Sequence, residues 1–442
     1  MITERKGKLF FDPCGSILPR KENINMEALQ TINFIIAAVF FLCYAYQFAY
    51  IPLQWLKKDP PHCAEKKHRF AVLICGRNEE RVIAKLIESI HSQTYDPACV
   101  RIFVMADNCT DNTARVARNA GAIVYKRNNP FLVGKGYALE ELLDNIKRNY
   151  PKGYFDGYFV FDADNVLDKN YIKEMNRTFC DGYDIITSYR NSKNYGSNWI
   201  SAGYALWFLR ESRYLNHARF LLGTSCAVSG TGFFFSQRIL EKNGGWRFHL
   251  LTEDIEFTVH NIINGEKVGF CPRAVLYDEQ PVSFRQSCRQ RMRWAKGYIQ
   301  VFKKYGAGLL KGALCGSFSC FDMAMAIMPA VVLTAVCVLV NSVMAVLTLA
   351  SGGSILPILL SVGQSVLNVY LTLFAVGAIT TATEWKNIPA PAWKKVFYAF
   401  TFPLFMFTYI PISFAALFAH VEWKPIEHSV SVSCDELWRQ SA

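Results

Sequence analysis

The chain contains 442 residues with a formal net charge of +12, and 51% of them are hydrophobic, which is more than soluble domains usually carry. The positive charge is concentrated. No carboxylate occurs between Glu279 and Asp322, where eight lysines and arginines accumulate just before an apolar run. This placement favours anionic lipid and a polyphosphate ligand as partners, and it argues against nucleic acid.

Four runs without a charged residue are each long enough to span a bilayer, which takes about 20 apolar residues. They are Ala28–Leu56, Met323–Ala350, Ile355–Thr383 and Val396–Ala419. We therefore predict a multi-pass protein of the cell membrane. The fourteen cysteines show no Cys-x-x-Cys spacing, which is typical of free thiols in a reducing compartment, so the block between the first two runs is predicted to be cytosolic.

These observations divide the chain into six predicted parts. They are a tail (1–27), a first span (28–56), a cytosolic domain (57–280), basic interfacial helices (281–322), three spans (323–420) and a second tail (421–442). The basic residues of the first tail fit poorly with an outside location, because positive residues usually stay inside. One of the four runs can therefore re-enter the membrane or lie in its interface instead.

The cytosolic block alternates short apolar strands with amphipathic helices. Strands are predicted at 69–75, 100–105, 122–125 and 159–161, and helices at 81–95 and 113–120. Such alternation is typical of an α/β sheet with parallel strands, in which ligands bind beyond the carboxyl ends of the strands. Asp107, Asp162 and Asp164 follow predicted strands, so we expect them at that edge.

Asp162 and Asp164 stand two residues apart directly after a buried strand. Carboxylates with this spacing suit Mg²⁺ or Mn²⁺, with one carboxylate on the metal and the other on ribose or sugar hydroxyls. The alternative is a capped turn, which Asp favours in any case. Asp107 is placed to contact a base or ribose, and its alternative is an Asx turn. Lys135, flanked by two glycines, can pair with a phosphate.

Glu253 and Asp254 precede a predicted amphipathic helix, Ile255–Ile263. A carboxylate at a rigid helix start is well placed to act as general base on an acceptor hydroxyl, so Asp254 is predicted to be the base, with Glu253 in support. The alternative is a helix cap by Thr252, with the two acids stabilising the helix dipole. The loop Gly230-Thr231-Gly232 is predicted to border the path of the acceptor.

A basic amphipathic segment carries Gln290, Arg291, Arg293 and Trp294. Arginine forks bind phosphate oxygens in pairs and can stabilise the charge that builds on a departing diphosphate. Trp294 offers a flat face for a sugar ring. The alternative is an interfacial helix that directs its cations toward lipid, and we prefer that interpretation for the lysines at 303, 304 and 311.

From Arg69 to Trp294 the chain resembles the membrane-embedded processive glycosyltransferases of family 2, which include cellulose, chitin and hyaluronan synthases. The motifs that carry this resemblance are Gly76-Arg77-Asn78-Glu79, Asp107, Asp162-Ala163-Asp164, Thr252-Glu253-Asp254 and Gln290-Arg291-Met292-Arg293-Trp294. The last motif is specific to the polymer-making members. Two departures are visible: the usual Asp-Asp pair of the second motif is Ala106-Asp107, and no Phe-x-Val-Thr-x-Lys motif follows Trp294.

The resemblance implies an α/β GT-A domain with a Rossmann-like sheet, joined to transmembrane helices that form an exit path. The implied roles are nucleoside contacts at Glu79 and Asp107, metal binding at Asp164, the base at Asp254, and diphosphate and acceptor contacts at Gln290, Arg293 and Trp294.

The implied activity is an inverting transfer from UDP-glucose, with Mg²⁺ or Mn²⁺, that extends a polysaccharide acceptor into a secreted β-glucan. Membrane lipid and a second copy of the chain are expected partners. The alternatives are a polysaccharide synthase that uses UDP-N-acetylglucosamine, a non-processive lipid glycosyltransferase, and a transporter or receptor with a nucleotide-binding domain.

Overall fold

The computed structural model describes residues 21–350 and 356–439. Most of the predicted first tail, residue 355 at the start of the third apolar run, and residues 440–442 of the second tail lie outside the described residues.

The described residues contain one eight-stranded sheet with the spatial order β3-β2-β1-β4-β7-β6-β8-β5. Its strands are β1 (Phe70–Gly76), β2 (Val100–Asp107), β3 (Ile123–Arg127), β4 (Gly157–Asp162), β5 (Val166–Leu167), β6 (Ile185–Ser192), β7 (Phe233–Ser236) and β8 (Val268–Asp278). The predicted parallel arrangement is confirmed for β1 to β4. The other half of the sheet is mixed, because β7 runs antiparallel to both β4 and β6.

Helices cover both faces of this sheet. In chain order they are α1 (Lys21–Leu56), α2 (Ile83–His91), α3 (Thr113–Asn119), α4 (Lys135–Asn149), α5 (Tyr171–Cys180), α6 (Trp199–Arg210), α7 (His217–Leu222), α8 (Gln237–Lys242) and α9 (Glu253–Ile263). Side chains alternate along β1, so Phe70, Val72 and Ile74 pack with α2, α3 and α5. Ala71 and Leu73 pack on the opposite face with α4, α6 and α9.

The predicted basic interfacial helices are α10 (Phe284–Leu314) and α11 (Phe318–Ile327). Asp322 of α11 is fully buried, and it accepts hydrogen bonds from Arg219 Nε and from Tyr46 Oη, each at 2.6 Å. Because Tyr46 belongs to α1 and Arg219 to α7, this aspartate joins the first apolar helix to the α/β domain.

Three helices of the described residues are long and apolar enough to cross a membrane: Thr31–Leu56 within α1, Ile358–Thr383 within α13 (Leu356–Thr383), and Ala392–Phe418. The last comprises α14 (Ala392–Phe407) and α15 (Tyr409–Phe418). The second predicted span begins in α11 and continues as α12 (Pro329–Ala350), where a shorter apolar stretch, Ala335–Ala350, is found. The break between α11 and α12 falls at Met328.

Candidate active site

An open cavity of about 1030 Å³, including its mouth, lies at the carboxyl edge of the sheet. Ligands bind at this edge in open α/β sheets because the loops that follow neighbouring strands converge there. The cavity brings together most of the predicted site residues: Glu79, Asp107, Lys135, Asp162, Asp164, Gly230, Glu253, Asp254, Gln290, Arg293 and Trp294. Arg291, Thr231 and Gly232 are not among its lining residues.

The loops after β1 and β2 form the first wall of the cavity. Asn78 and Asn108 adopt positive φ angles of 61° and 50°, a left-handed conformation that asparagine tolerates better than most residues. Asn78 Oδ1 accepts a hydrogen bond from the Thr110 amide at 2.8 Å, which ties the two loops together. These turns set the positions of Glu79 and Asp107, two of the predicted nucleoside contacts.

Asp107 is buried at the end of β2, and its neighbour on β3 supplies a cation. Arg127 Nη1 lies 2.7 Å from Asp107 Oδ1, and Asn108 Nδ2 donates to the same oxygen at 3.0 Å. Burial raises the pKa of Asp107, although the Arg127 charge opposes that shift. Both donors meet Oδ1, so Oδ2 of this cavity-lining carboxylate receives neither of these hydrogen bonds.

Lys135 begins α4 and reaches across to the loop after β4. Its Nζ lies 2.5 Å from Asp162 Oδ1 and donates to the Gly230 carbonyl at 2.8 Å. Asp164 is buried and accepts from the Glu279 amide at 2.7 Å. Burial would raise the pKa of Asp164, but the nearby cations of His428 and Lys193 outweigh burial and lower it. Asp164 is therefore an ionised carboxylate at neutral pH.

The described residues contain no group of three or more His, Cys, Asp or Glu side chains arranged to hold a metal ion by themselves. Asp162 and Asp164 nevertheless fit a hard divalent ion as part of a shared site, because Mg²⁺ and Mn²⁺ are commonly held by one or two carboxylates together with ligand phosphates. The cavity supplies both carboxylates side by side. Protein oxygens alone would leave most of the ion's coordination positions to a bound ligand and water.

Glu253 is buried and Asp254 is half-buried in the cavity wall at the first turn of α9. Burial, followed by the charge on Asp254, raises the pKa of Glu253 to about 7. Burial also raises the pKa of Asp254. The Gly230 amide opposes that shift, because it donates a hydrogen bond to Asp254 Oδ2 at 2.6 Å. The alternative of a Thr252 helix cap is not observed: its side chain makes no capping hydrogen bond, and Thr252 Oγ1 is buried without a hydrogen-bond partner among the residues that the structure describes.

Gln290, Arg293 and Trp294 share one face of α10, as the spacings i, i+3 and i+4 require. Arg293 Nη1 donates to the Leu251 carbonyl at 3.3 Å, a weak contact for a guanidinium. Gln290 Oε1 is buried without a hydrogen-bond partner within the described residues. This helix face therefore offers a cation and an amide to a ligand, opposite the carboxylates of the sheet edge.

Arg291 does not line the cavity, so it is not positioned to make the predicted contact with a diphosphate there. It is fully buried on another side of α10, where Nη1 donates to the Phe405 carbonyl at 3.2 Å and lies 2.5 Å from Thr408 Oγ1. Its guanidinium also lies 4.6 Å from the ring centre of Phe405 and 4.8 Å from that of Tyr409. One residue along a helix is a rotation of about 100°, which turns Arg291 away from Gln290 and toward the membrane helices.

Two of the three predicted acceptor-loop residues also point elsewhere. Thr231 is buried, and its Oγ1 binds the Asp162 amide at 2.8 Å and Asn165 Oδ1. Gly232 lies so close to Leu276 that an added Cβ would stand 1.8 Å from that side chain. These residues hold the loop in place, and Gly230 alone of the three lines the cavity.

Sequence analysis missed one whole wall of the cavity. Residues 423–428, predicted to be part of a tail, cross its mouth, and the cavity is lined there by Trp423, Lys424, Pro425, Ile426 and His428. His428 Nδ1 lies 3.0 Å from both carboxylate oxygens of Glu79. Burial opposes the charged imidazole, but the charges of Asp164 and Glu79 raise the pKa of His428 to about 10.

This segment is held by further contacts after His428. The amides of Ser429 and Val430 donate to Glu279, and Lys193 Nζ donates to the Val430 carbonyl at 2.8 Å. The segment ends in α16 (Cys434–Arg439), with Leu437 buried. One sequence feature could have indicated this segment: Trp423 stands next to the cation Lys424, as Trp294 stands next to Arg293.

Residues 68–297 match the model described as "Glycosyltransferase like family 2". The matched region begins just before β1 and ends within α10, so it contains nearly every cavity residue outside the segment 423–428.

Several characterised proteins are similar to part of the chain. The probable glycosyltransferase YdaM of Bacillus subtilis (strain 168) is 25% identical over 269 residues, covering 55% of this chain and 58% of YdaM. A beta-monoglucosyldiacylglycerol synthase of Synechocystis is 24% identical, covering 53% of this chain and 48% of the relative. A poly-beta-1,6-N-acetyl-D-glucosamine synthase of Staphylococcus aureus (strain COL) is 20% identical, covering 56% and 58%. The chain thus spans about half the length of the curated relatives it matches.

Among solved structures, the mannosyltransferase PcManGT of Pyrobaculum calidifontis, in complex with GDP-Man and Mn²⁺, shares the fold with a TM-score of 0.53. The two are 16% identical, and the match covers 88% of this chain and 99% of PcManGT. The similarity therefore includes most of the helices outside the α/β domain as well as the GT-A sheet.

Proposed function

This chain belongs to glycosyltransferase like family 2, and on that premise we propose that it transfers glucose from UDP-glucose to an acceptor hydroxyl beside the membrane. The observation that carries the proposal is one cavity in which four carboxylates, at 162, 164, 253 and 254, face Arg293. Such a cavity can hold a sugar donor at its carboxylates and receive the departing diphosphate at its cation.

In the proposed reaction Asp254 removes the proton from the acceptor hydroxyl, and the resulting oxygen attacks the anomeric carbon of the donor. The bond from that carbon to the diphosphate oxygen breaks as the new bond forms on the opposite face, so an α-linked donor gives a β-linkage. The amide of Gly230 holds Asp254 Oδ2 at 2.6 Å and thereby fixes the direction of the base. A pKa raised by burial suits a base that must bind a proton during the reaction.

The diphosphate leaves with additional negative charge, which Arg293 and Lys135 are placed to meet. Asp164 and Asp162 would hold a divalent cation, which would supply positive charge beside the leaving group. The proposal of a divalent ion is supported by PcManGT, which has the same fold and was solved in complex with Mn²⁺. Glu79 and Asp107 are proposed to contact the uridine, and Gln290 and Trp294 the diphosphate and the acceptor.

We further propose that the transfer is repeated, so that a β-glucan grows and leaves through the membrane helices of a multi-pass cell-membrane protein with a cytosolic catalytic domain. The Gln290-x-x-Arg293-Trp294 motif and the similarity to a polysaccharide synthase support this. A second copy of the chain could widen the exit path. The second candidate is a single transfer to a lipid, and the similarity to beta-monoglucosyldiacylglycerol synthases favours it.

Product length separates the two candidates. The protein is purified in detergent and given tritiated UDP-glucose or UDP-N-acetylglucosamine, with Mg²⁺ or Mn²⁺ and with or without diacylglycerol. We expect UDP-glucose to label a polymer that a linkage-specific β-glucanase digests. Label confined to a chloroform-soluble glycolipid would replace polymer synthesis with lipid glycosylation, and incorporation only from UDP-N-acetylglucosamine would overturn the choice of donor.

A further inference from the structure

One cation in the cavity wall has no role in the reaction proposed above. Arg190 lies near the end of β6, and its side chain is only 14% exposed where it lines the cavity. Its Nε donates to Asp278 Oδ2 at 2.6 Å, and Nη2 contacts the same oxygen. The guanidinium lies over the ring of Phe208, 3.6 Å from the ring centre. A planar guanidinium that is held along one edge and across one face has little freedom to turn.

The third nitrogen of Arg190 holds a single peptide group. Nη1 donates to the carbonyl oxygen of Ser229 at 3.0 Å, and the Thr231 amide donates to the same oxygen at 2.9 Å. The N–H of that peptide group belongs to Gly230 and donates to Asp254 Oδ2 at 2.6 Å. The carbonyl and the N–H of a planar trans peptide point in opposite directions. The Ser229–Gly230 peptide is therefore a rigid bridge between Arg190 and the proposed base.

The glycine at position 230 makes this bridge easy to turn over. Gly230 has a φ angle of 77°, which few residues with a side chain adopt, whereas glycine takes positive and negative φ about equally well. Turning the Ser229–Gly230 peptide over changes that φ angle and removes the N–H from Asp254. The two orientations differ little in backbone energy at Gly230, so the hydrogen bonds at each end of the peptide select one. Arg190 supplies the charged hydrogen bond at the carbonyl end.

Arg190 and Arg293 differ in what their guanidinium groups contact. All three nitrogens of Arg190 are engaged, by Asp278 and by the Ser229 carbonyl. Arg293 makes one long contact, 3.3 Å, with the Leu251 carbonyl. A departing diphosphate would therefore meet more donor capacity at Arg293, because the donors of Arg190 are already used within the protein. This difference favours a role for Arg190 that acts through the peptide and not on the sugar donor.

A cation on the carbonyl oxygen polarises a peptide group and strengthens the hydrogen bond that its N–H donates. We propose that Arg190 is a positioning residue for the proposed base: it holds the Ser229–Gly230 peptide in the orientation that keeps the N–H on Asp254 Oδ2. This inference rests on the proposed function and identifies what fixes the orientation of its base.

The hydrogen bond from Gly230 also affects the charge of Asp254. It favours the ionised carboxylate and so lowers the pKa of Asp254, which means that weakening it should raise that pKa. The base acts only when it is ionised, so activity would then require a higher pH. The titratable groups that face Asp254 are Glu253 on α9, Lys135 on α4, and Arg293 and Tyr298 on α10. All four remain in place when Arg190 is substituted. Because Glu253 titrates beside Asp254, the acid limb of the pH–rate profile belongs to this pair.

Transfer from tritiated UDP-glucose is measured from about pH 5 to about pH 9 in wild type, Arg190→Lys and Arg190→Met. Lysine keeps the charge but lacks the fork that holds both Asp278 and the Ser229 carbonyl, and methionine removes charge and fork together. Arg177→Met is the matched control, because Arg177 also joins two groups through Nε and Nη1 and does not line the cavity. We expect the acid limb of kcat/KM to move up by about one pH unit with methionine and about half a unit with lysine. UDP affinity should stay close to that of wild type.

Hydrogen exchange of the Gly230 amide measures the hold on the peptide without any turnover. Exchange should become about tenfold faster in Arg190→Met, the loss of roughly one hydrogen bond to a charged group, and it should rise less in Arg190→Lys. In Arg177→Met it should match wild type.

Two outcomes would overturn the positioning role. One is an acid limb that stays at its wild-type pH in Arg190→Lys, because charge at this position would then be enough. The other is a weakened UDP affinity with an unmoved limb, which would assign Arg190 to the sugar donor. If Arg190→Met fails to fold, seen as a lowered melting temperature with loss of UDP binding, the lysine variant decides. Failure of the proposed function looks different: wild type would transfer no glucose, or Asp254→Asn would keep near-normal turnover, while exchange of the Gly230 amide would still show whether Arg190 holds the peptide.

Discussion

The segment over the cavity mouth allows a quantitative prediction. His428→Ala removes a cation that lies 3.0 Å from both oxygens of Glu79, while the amide contacts of Ser429 and Val430 with Glu279 remain. A hydrogen bond between charged groups contributes roughly 1.5–3 kcal/mol. Both side chains are mostly buried, so little solvent screening reduces this value. Local opening of the segment should therefore become about 10- to 150-fold more frequent.

Amide hydrogen exchange measures that opening directly. The amides of Ser429 and Val430 should exchange faster by that factor in His428→Ala, whereas amides of β1 in the core should not change. His420→Ala is the matched control, because His420 is 90% exposed and lies 3.9 Å from its one ion-pair partner, Glu422. Equal exchange of the Ser429 amide in both variants would refute the idea that the Glu79–His428 pair holds the segment.

The same pair predicts a pH dependence. The pKa of His428 is raised from 6.5 to about 10 in the folded state, and burial raises the pKa of its partner Glu79, so the contribution is fully present up to about pH 6.5 wherever Glu79 is ionised. It declines as the pH rises from there and is lost above about pH 10. Protection of the Val430 amide, corrected for the intrinsic effect of pH on exchange, should fall over this window in wild type. In His428→Ala it should be flat.

The remaining predictions concern chemistry and packing. Asp254→Asn should lower kcat by about 10²–10⁴-fold with UDP affinity within twofold, and near-normal turnover would exclude Asp254 as the base. Arg293→Lys should lower kcat about 10²-fold, because an ammonium cannot bind two phosphate oxygens at once as a guanidinium does. If only the acceptor KM changed, Arg293 would not stabilise the departing diphosphate. Arg291→Ala should lower the melting temperature, at a cost of about 2–4 kcal/mol in the free energy of unfolding, while UDP affinity persists; lost UDP binding in a folded variant would return Arg291 to the donor site. Chelation with EDTA should abolish transfer and added Mn²⁺ restore it, with Asp164→Asn requiring more Mn²⁺; activity in EDTA would argue against the shared metal site.

Much of the cavity follows from local patterns. Asp107 and Asp162 end buried strands, and parallel strands bring their carboxyl ends to one edge, so two short apolar runs that each lead to an aspartate were enough to expect the two side chains at the same edge. The shared face of Gln290 and Arg293 follows from helical spacing in the same way. Each strand end and each helix face depends on residues close in sequence, and the parallel arrangement of the strands then brings the two aspartates to one edge.

Other features depend on residues distant in the chain. Arg291 faces neither the cavity nor lipid, because it is fully buried against Phe405 and Thr408, which lie more than 110 residues away in the chain. Glu79 and His428 are 349 positions apart, and the segment that carries His428 has no apolar period to indicate an element. Its position results from side-chain contacts alone.

The amino-acid sequence by itself determined the edge of a parallel α/β sheet, the acidic loops that follow its strands, and the apolar helices, because each follows from a local pattern of apolar and charged residues. Only the tertiary structure decided which face of α10 meets the carboxylates, that β7 enters the sheet antiparallel, and that residues 423–428 close over Glu79. The physical reason is that burial and ion pairing act between groups that folding brings together. The distance between two such residues along the chain does not indicate that they will be in contact.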